Sequence, residues 1–488
     1  MKPNVLFITV DQMRGDCLSI LGHPTVQTPN LDKLAEDGVL FRNAYSATPT
    51  CIPARAALLT GMDQRSHGRV GYEEHIPWTY EHTLPGELAK AGYHTQCIGK
   101  MHVYPTRSLC GYHNVVLHDG YMHYNRYNDR TMRAEHFNEC DDYLNWIRNT
   151  DGESTYDLMD NGLDCNASTV ALPWHLEERL HPTNWAVTQS IDFLRRRDPS
   201  KPFYLCTSFV RPHPPFDPPQ AYFDMYLNED MPDSPVGDWV DLHMAENGSG
   251  DPTTRLSKLS KKRLDRAKAA YFALITHLDF QIGRLLNALN EYGVLHNTVV
   301  VFTSDHGELL GDHHFFRKSL AYEGSAKVPL IVADYTGGLG LSRGAKEDKV
   351  VELRDIMPTL LDAVGAIIPE SVDGESLLPL CRNEPNVTWR EYVHGEHAYG
   401  TLSHHYVTNG LMKYIWYSQS GEEQLFDLAS DPSELHNKVD EPASLATLQL
   451  WRERLIRELT DREEGYVQDG KLVIGQQPQT VLSHLIKA

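Results

Sequence analysis

The chain has 488 residues, more than a single hydrophobic core usually serves, so two packed units are expected. Its 45 basic and 66 acidic residues give a formal charge of −21, which argues against a nucleic-acid binder. The sequence shows neither a signal-peptide cleavage site nor an apolar stretch of about twenty residues, so we expect a cytoplasmic protein that does not enter a membrane.

Apolar runs along the chain predict strands that are buried on both faces. These runs are VLFITV (5–10), YHTQCI (93–98), FYLCTSFV (203–210) and TVVVFT (298–303). Such continuous hydrophobic stretches are typical of a parallel sheet, and candidate helices lie between them. The alternation predicts an α/β fold with helices on both faces of the sheet.

Helix signals are clearest in three places. In TPNLDKLAEDG (28–38), Thr28 is the predicted N-cap, Pro29 begins the helix and Gly38 ends it. The longest predicted helix runs from Leu256 to Gly293 and is interrupted by Gly283. In ATPTCIPARAALLTG (47–61), the proline and the alanine-rich run place Cys51 at or just before a helix N-terminus.

Two changes in composition suggest the domain organisation. Residues 103–185 are rich in Tyr, Asn, Asp and His and lack clear periodicity, so we predict an ordered elaboration or lid. After LLPLC (377–381), short polar-bounded strands precede a helix. We therefore predict a catalytic domain over residues 1–380 and a smaller α+β subdomain with a tail over 381–488.

Polar side chains follow each predicted strand, and the carboxyl ends of parallel strands meet in one crevice. They are Asp11 and Gln12 after the first strand, Lys100 and His102 after the second, His213 after the third, and Asp305 and His306 after the fourth, with Lys318 later. The acidic and amide oxygens suit Ca²⁺, Mg²⁺ or Mn²⁺ better than Zn²⁺. A metal with lysines and histidines predicts a site for a tetrahedral anion. Cys51 is then either a reactive thiolate or a small buried hydrophobe.

The sequence resembles the type I sulfatases, the formylglycine enzymes of the alkaline phosphatase superfamily. Cys51-Ile-Pro-Ala-Arg55 followed by LLTG matches their C-x-P-x-R signature, and the likeness extends over most of the chain through NVLFITVDQMRGD, GKMH, SFVRPHPPF and SDHGELLGDHHFFRKSLAYEGS. The resemblance implies a large, mostly parallel central sheet flanked by helices, alkaline phosphatase-like in architecture. It also implies that a maturation enzyme oxidises Cys51 to Cα-formylglycine.

The resemblance assigns a role to most of these side chains. Residue 51 would be both nucleophile and metal ligand, alongside Asp11, Asp305 and His306. Arg55 would hold the hydrated aldehyde, and Lys100 and Lys318 would grip the sulfate oxygens. His102 would be the base that expels sulfate, and His213 the general acid for the leaving oxygen. The metal is expected to be a single Ca²⁺, with Mn²⁺ or Mg²⁺ as alternatives.

Gln12 departs from the family pattern, in which many members have a second aspartate after the first strand. Its carbonyl oxygen would still coordinate a metal, with one negative charge fewer in the site. Alternatively, Gln12 points away and hydrogen-bonds the loop from Arg14 to Asp16. Phosphonate monoester hydrolases show a similar Asp-Gln and Asp-His combination, but they lack the Lys-x-His pair that GKMH provides.

The expected function is hydrolysis of a small sulfate monoester, from a sulfated sugar or an aryl sulfate. A phosphonate monoester or phosphodiester hydrolase is the alternative, followed by a non-catalytic metal- and sulfate-binding protein in which Cys51 stays a thiol. A plain Cys-His hydrolase leaves Asp11 and Asp305 unexplained. The predicted selectivity elements are GYEEHIPW (71–78), the lid and HGEHAYGTLSHH (394–405). A homo-oligomer is left open.

Overall fold

The computed structural model describes residues 2–120, 141–151 and 163–486. Its strands are β1 (Asn4–Asp11), β2 (Gly38–Tyr45), β3 (His94–Gly99), β4 (Asn114–Leu117), β5 (Phe203–Pro212), β6 (Thr298–Ser304), β7 (Lys327–Asp334), β8 (Ala345–Glu347), β9 (Val351–Glu352), β10 (Val393–His397), β11 (His404–Thr408), β12 (Met412–Tyr417), β13 (Glu423–Asp427), β14 (Val467–Gln468) and β15 (Lys471–Leu472).

The α-helices are α1 (Pro29–Asp37), α2 (Cys51–Thr60), α3 (Gln64–His67), α4 (Leu84–Lys90), α5 (Asp142–Asp151), α6 (Pro182–Arg196), α7 (Gln220–Asp224), α8 (Leu242–Glu246), α9 (Lys261–Glu291), α10 (Glu323–Ala326), α11 (Ile356–Ala363), α12 (Leu378–Cys381), α13 (Leu445–Leu459) and α14 (Ser483–Ile486). Within the described ranges, no helix combines the length and apolarity required to cross a bilayer.

Nine strands form one central sheet in the order β4-β3-β5-β1-β6-β7-β2-β8, with β9 also paired to β2. The four strands predicted from apolar runs are β3, β5, β1 and β6, which are consecutive neighbours and pair in parallel. Only β7 runs against its neighbours β6 and β2 among the pairings described. The prediction of a mostly parallel central sheet is confirmed.

Side chains of β1 alternate between two apolar layers. Leu6 and Ile8 pack towards the layer that contains α1, α6 and α9, and Val5 and Phe7 pack towards the layer of α2, α4 and α11. Because both faces are covered, β1 is buried along its whole length. The sheet edge at its carboxyl end is therefore held between two packed layers of helices.

Helix α1 has the predicted bounds, with Thr28 at the N-cap position and Gly38 directly after its last residue, but the interruption predicted at Gly283 was wrong. Gly38 does not end α1 in a left-handed conformation; its backbone is extended and begins β2, where a Cβ atom would lie 2.4 Å from the Val332 carbonyl oxygen. Thr28 precedes α1 without capping it, because its hydroxyl oxygen accepts the Ser19 amide. Gly283 does not interrupt α9, which is continuous on both sides of it.

The C-terminal residues form a second, antiparallel sheet in the order β10-β11-β12-β13. Helix α13 packs on it through Leu448, Trp451 and Leu455, against Val407 and Tyr414. The predicted lid over 103–185 is described only in part, since residues 121–140 and 152–162 lie outside the described ranges. The part described contains β4 and α5. The cysteines within the described residues are free thiols.

Candidate active site

Four of the predicted side chains meet where β1 and β6 end and α2 begins. Asp11 is the last residue of β1, Asp305 and His306 follow β6, and Cys51 is the first residue of α2. One ligand atom from each lies within 4.8 Å of the others, and all four residues are buried. The Cys51 Sγ lies 3.2 Å from His306 Nε2 and 3.8 Å from either carboxylate oxygen of Asp11.

This group of side chains fits a divalent cation. His306 Nδ1 donates to the Gly307 carbonyl at 3.0 Å, which leaves the Nε2 lone pair directed at the cluster. Burial raises the pKa of Asp305, and the nearby charge of Asp11 raises it further. Asp11 and Asp305 are therefore two buried carboxylates that repel each other, and a bound divalent ion would remove this repulsion.

Lys100 and Lys318 bring positive charge to the same point. The Lys318 Nζ lies 3.4 Å and the Lys100 Nζ 3.9 Å from the Cys51 Sγ, and Lys100 also hydrogen-bonds Asp11. Burial and Asp11 would raise the pKa of Cys51, but the two lysines and His306 hold it well below its ordinary value. Burial also opposes ionisation of Asp11, whose pKa the same cations keep low. The site therefore favours anions at residue 51.

Arg55 joins α2 to the strand ends. Its Nε donates to Asp305 at 3.0 Å, and its Nη1 donates to the Lys100 carbonyl and to the Ser208 hydroxyl. Its Nη2 lies 3.8 Å from an Asp11 oxygen and makes no hydrogen bond. Because Arg55 is one turn beyond Cys51 on α2, this donor is available to a group at residue 51.

His102 has a defined orientation. Its Nε2 lies 3.0 Å from the Glu74 carboxylate, which also accepts the Tyr72 hydroxyl at 2.6 Å. Its backbone amide donates to Asp119. The Nδ1 atom is buried and makes no hydrogen bond. With the Nε2 proton directed to Glu74, Nδ1 is left as the basic nitrogen.

His213 follows β5 and lies close enough to Asp11 for a protonated ring to lower the pKa of that carboxyl. Its Nδ1 donates to the Pro214 carbonyl at 2.8 Å, which leaves Nε2 as the reactive nitrogen. Burial, and then the charge of Lys318, hold the pKa of His213 well below its ordinary value. The ring is therefore neutral in this arrangement. To act as the predicted general acid, His213 must first take up a proton, and an anion bound nearby would stabilise the protonated ring.

The Gln12 side chain does not hydrogen-bond the loop from Arg14 to Asp16. Its Oε1 accepts Lys318 Nζ at 2.7 Å, and its Nε2 donates to Glu308. Both polar atoms of Gln12 are thus engaged elsewhere, and within the loop Arg14 pairs with Asp16. The prediction that Gln12 hydrogen-bonds this loop was wrong. Whether Gln12 coordinates a metal stays a prediction, since its carbonyl oxygen is held by Lys318 in this arrangement.

Sequence reasoning missed two carboxylates that organise the site. Glu308 binds the Gln12 amide and the backbone amides of Leu310 and Arg317, and Glu74 binds His102. Glu308 is two residues beyond His306, so the stretch DHGE offered a signal for it. Glu74 lies in GYEEHIPW, a segment that we predicted from the sequence to determine substrate selectivity.

A second set of potential ligands lies on the C-terminal sheet. His394, Glu396 and His405 lie within metal-binding distance of one another. However, Glu396 accepts two hydrogen bonds from Arg462, at 2.7 and 2.9 Å, and the His394 Nδ1 accepts a hydrogen bond from the Gln64 side-chain amide at 3.1 Å. Because Arg462 already neutralises the Glu396 carboxylate, we interpret this cluster as a structural hydrogen-bond network and not as a metal site.

The chain is similar to known sulfatases along most of its length. A family model described as Sulfatase matches residues 3–366, and one described as N-sulphoglucosamine sulphohydrolase, C-terminal, matches residues 311–461. An arylsulfatase of Clostridium perfringens is 54% identical over 485 residues, covering 99% of this chain and 100% of the relative. A multifunctional alkaline phosphatase superfamily protein of Trinickia caryophylli is 29% identical, covering 93% and 95%.

Among solved structures, the phosphonate monoester hydrolase of Agrobacterium radiobacter superposes with a TM-score of 0.76 at 25% identity. The match covers 93% of this chain and 95% of that one. The site geometry, the sulfatase model over most of the chain and the full-length similarity agree. The chain belongs to the sulfatase family, hydrolases of the alkaline phosphatase superfamily.

Proposed function

We propose that this protein hydrolyses a sulfate monoester, from an aryl alcohol or a small sugar, with residue 51 as the nucleophile. The observation that carries the proposal is the position of the Cys51 Sγ. It lies within 3.9 Å of a carboxylate, an imidazole and two lysine ammonium groups. The Sγ atom stands where the formylglycine hydrate would place its hydroxyl groups.

Family membership implies a divalent metal ion and formylglycine. We propose Ca²⁺ as the ion, held by Asp11, Asp305, His306 and residue 51, because carboxylate oxygens predominate in the site. When present, the ion would stabilise negative charge on sulfate and on residue 51, and the hydrated aldehyde would supply the attacking hydroxyl. Mn²⁺ and Mg²⁺ are the alternatives, since the histidine nitrogen does not favour Ca²⁺.

The chain's own side chains provide the remaining chemistry. Lys100 and Lys318 donate charge-assisted hydrogen bonds to the sulfate oxygens, which gain charge in the transition state. Arg55 orients residue 51 through its unpaired Nη2. His102 takes a proton from residue 51 at Nδ1 to release sulfate, and His213 gives a proton to the leaving oxygen at Nε2.

The substrate class is supported by the relatives. The Clostridium perfringens relative is named as an arylsulfatase, which supports an aryl sulfate. The carboxylates, histidines and aromatic rings of residues 71–78 and 394–405 are side chains that bind the hydroxyl groups and faces of a sugar. A small sulfated sugar is therefore retained beside the aryl sulfate.

The experiment begins with mass spectrometry of the peptide that contains residue 51, which distinguishes a thiol from an aldehyde. Protein with the aldehyde should release sulfate from 4-nitrophenyl sulfate, and Cys51→Ala should show no turnover with an unchanged Tm. Cys110→Ala, a thiol outside the site, is the matched control and should keep full activity. Turnover by Cys51→Ala would reject the proposed nucleophile. Unconverted protein that binds sulfate would support the non-catalytic alternative.

Phosphonate monoester or phosphodiester hydrolysis is the second candidate. It is favoured by the Asp11-Gln12 and Asp305-His306 combination and by the similarity to the Agrobacterium radiobacter hydrolase. The comparison is kcat/KM for 4-nitrophenyl sulfate against a 4-nitrophenyl phosphonate monoester and a bis-4-nitrophenyl phosphate. We expect the sulfate to be preferred, because the chain has the Lys-x-His pair, Lys100 and His102, that phosphonate monoester hydrolases lack. A preference for either phosphorus ester would reverse the order of the two candidates.

A further inference from the structure

Two arginines lie beside the site without a carboxylate partner. Arg317 directly precedes Lys318, whose Nζ is 3.4 Å from the Cys51 Sγ. Arg317 donates to the Asn166 side chain at 2.6 Å, and the Arg255 guanidinium lies 4.9 Å from the centre of the Tyr399 ring. Arg255 is exposed and Arg317 is half-buried, and within the described residues neither of them forms an ion pair.

The two guanidinium groups repel each other. Burial lowers the pKa of Arg317, and the charge of Arg255 lowers it further, with Glu308 opposing. Glu308 is nevertheless engaged by Gln12 and by backbone amides. Like charges left close together in a partly buried place are typical of anion sites, because a bound anion removes the repulsion.

Backbone geometry brings the two arginines together, because the Phe316 amide donates to the Arg255 carbonyl at 2.9 Å and Arg317 is the next residue. Burial and Asp164 raise the pKa of the Cys165 thiol to about 11, and Arg317, Lys100 and Lys318 all act against this rise. Burial lowers the pKa of His397 to about 3, with contributions from both Arg255 and His306. The chain places Arg317 beside Lys318, whose Nζ contacts Cys51, and the backbone hydrogen bond places Arg255 beside Arg317; these pKa effects agree with that arrangement.

Arg255, Arg317 and Tyr399 come from different parts of the chain. Arg255 and Arg317 belong to the segments around the central sheet, and Tyr399 follows β10 of the C-terminal sheet. The Tyr399 amide donates to the Ser403 hydroxyl at 2.7 Å, which fixes the loop that carries the ring. A ring held in this way restrains Arg255 through a cation–π contact.

We propose that Arg255, Arg317 and Tyr399 form a subsite for a second anionic group of the substrate. The preferred substrates are then sulfate esters that also carry a carboxylate or another sulfate. This inference rests on the proposed sulfatase function, because the sulfate that is cleaved must first occupy the lysines beside residue 51. The guanidinium groups bind the second anion by charge-assisted, bidentate hydrogen bonds.

The kinetic test uses aryl sulfates that differ in one charge. Carboxyphenyl sulfate carries the second anion, and carbamoylphenyl sulfate has nearly the same shape without it. Arg255→Gln and Arg317→Gln should each lower kcat/KM for the carboxylate about tenfold and for the amide less than twofold. Comparing variants with the parent cancels the difference in leaving group. A disulfated and a monosulfated sugar form a second pair that distinguishes a sulfate from a carboxylate as the second anion.

The matched control is Lys201→Gln, which removes the same charge at an exposed position before β5 and should change neither substrate. If Arg317→Gln has a lowered Tm, Arg317→Lys is measured in its place, because lysine keeps the charge but removes the bidentate hydrogen bonds. Equal losses on both members of a pair in Arg255→Gln and Arg317→Gln would overturn the subsite.

A binding measurement separates this inference from the proposed function. Sulfobenzoate carries a sulfonate and a carboxylate, and its carbon–sulfur bond is not hydrolysed. By calorimetry, the parent should bind it about tenfold more tightly than carbamoylbenzenesulfonate, and Arg255→Gln should abolish the difference. Absence of turnover with this binding preference intact would reject the hydrolase and keep the subsite. Turnover of aryl sulfates without the preference would do the reverse.

Discussion

The Cys51 thiol lies among groups that have opposite effects on its pKa. Burial and Asp11 disfavour its anion, while Lys100, Lys318 and His306 favour it. The position at a helix N-terminus indicated a lowered pKa from the sequence, and the lysines provide a further and larger reason. Cys51 is fully buried, as the alternative interpretation of a small buried hydrophobe predicted. Its neighbours, however, are charged groups and not apolar side chains.

Glu74 is expected to position His102. Glu74→Gln keeps the shape of the side chain but removes the charge that holds the His102 Nε2 proton, so we expect kcat to fall about tenfold with KM and Tm unchanged. Glu74→Asp should recover part of the loss. Steady-state kinetics with 4-nitrophenyl sulfate check this. A rise in KM at constant kcat would show that Glu74 binds substrate instead.

Gln12→Asp is expected to tighten Ca²⁺ binding about tenfold, because a third carboxylate would join Asp11 and Asp305. The same change sets a carboxylate against Glu308, which now accepts the Gln12 amide, so the metal-free variant should have a lower Tm. Calorimetric titration and thermal melts measure the two effects, with Gln12→Asn as the control. Unchanged Ca²⁺ affinity in Gln12→Asp would show that Gln12 is not a ligand.

The candidate site was visible from the sequence wherever a residue follows a buried strand. Asp11, Lys100 and Asp305 were identified in this way, because parallel strands bring their carboxyl ends together. Glu74 was not, since it meets His102 through a loop and 28 residues separate them. Contacts between loops depend on tertiary packing, and neither periodicity nor strand order reports them.

At the scale of elements, β1, β3, β5 and β6 were predictable because they are apolar on both faces. Strand β11 was not identified, since its polar sequence HHYVT is buried through histidine rings and not through aliphatic side chains. The C-terminal sheet packs His404 and His405 among aromatic rings. Sequence polarity and burial disagree there, so hydrophobic pattern alone could not place the strand.

Gly283 shows how a tertiary contact overrides helix propensity. An alanine in mid-helix usually stabilises by roughly 1 kcal/mol relative to glycine. Here a Cβ atom would lie 2.2 Å from the Asn30 side chain, which Asp279 holds. We expect Gly283→Ala to destabilise by about 1–3 kcal/mol in urea unfolding. Asn287→Ala, exposed on the same helix, should be neutral or stabilising, and Asn30→Ala should rescue Gly283→Ala. A stabilised Gly283→Ala would contradict this packing.

The buried histidines of the C-terminal sheet predict acid sensitivity. Burial lowers the pKa of His404 from 6.5 to about 4, so the unfolded chain binds more protons between these values. The free energy of unfolding should therefore fall as pH drops through this window. His404→Gln should reduce the loss between pH 7.5 and 5 by about 1–2 kcal/mol. Urea unfolding at both pH values measures it, and His296→Gln, an exposed histidine, should have no effect. An equal pH dependence in the parent and His404→Gln would contradict it.

At the scale of the whole molecule, the proposed metal joins the central strands β1 and β6 to helix α2. A ligand that binds only the folded state at 100 times its Kd stabilises by about 2.7 kcal/mol. Adding Ca²⁺, Mn²⁺ or Mg²⁺ to chelator-treated protein should raise the Tm by about 2–5 °C. Asp305→Asn should remove this response. A Tm that none of the three ions changes would exclude a structural metal at this site.

The burial of Cys51 also constrains when the protein can become active. The residue has no exposed surface once α2 has packed against the strand ends. If residue 51 becomes formylglycine, as the proposed function requires, the enzyme that oxidises it would have to reach an extended segment before the central sheet closes around it. Conversion would then compete in time with folding, and it would be decided for each chain before folding is complete. Slower folding would raise the fraction of converted chains, and refolding of finished, unconverted protein would not restore it.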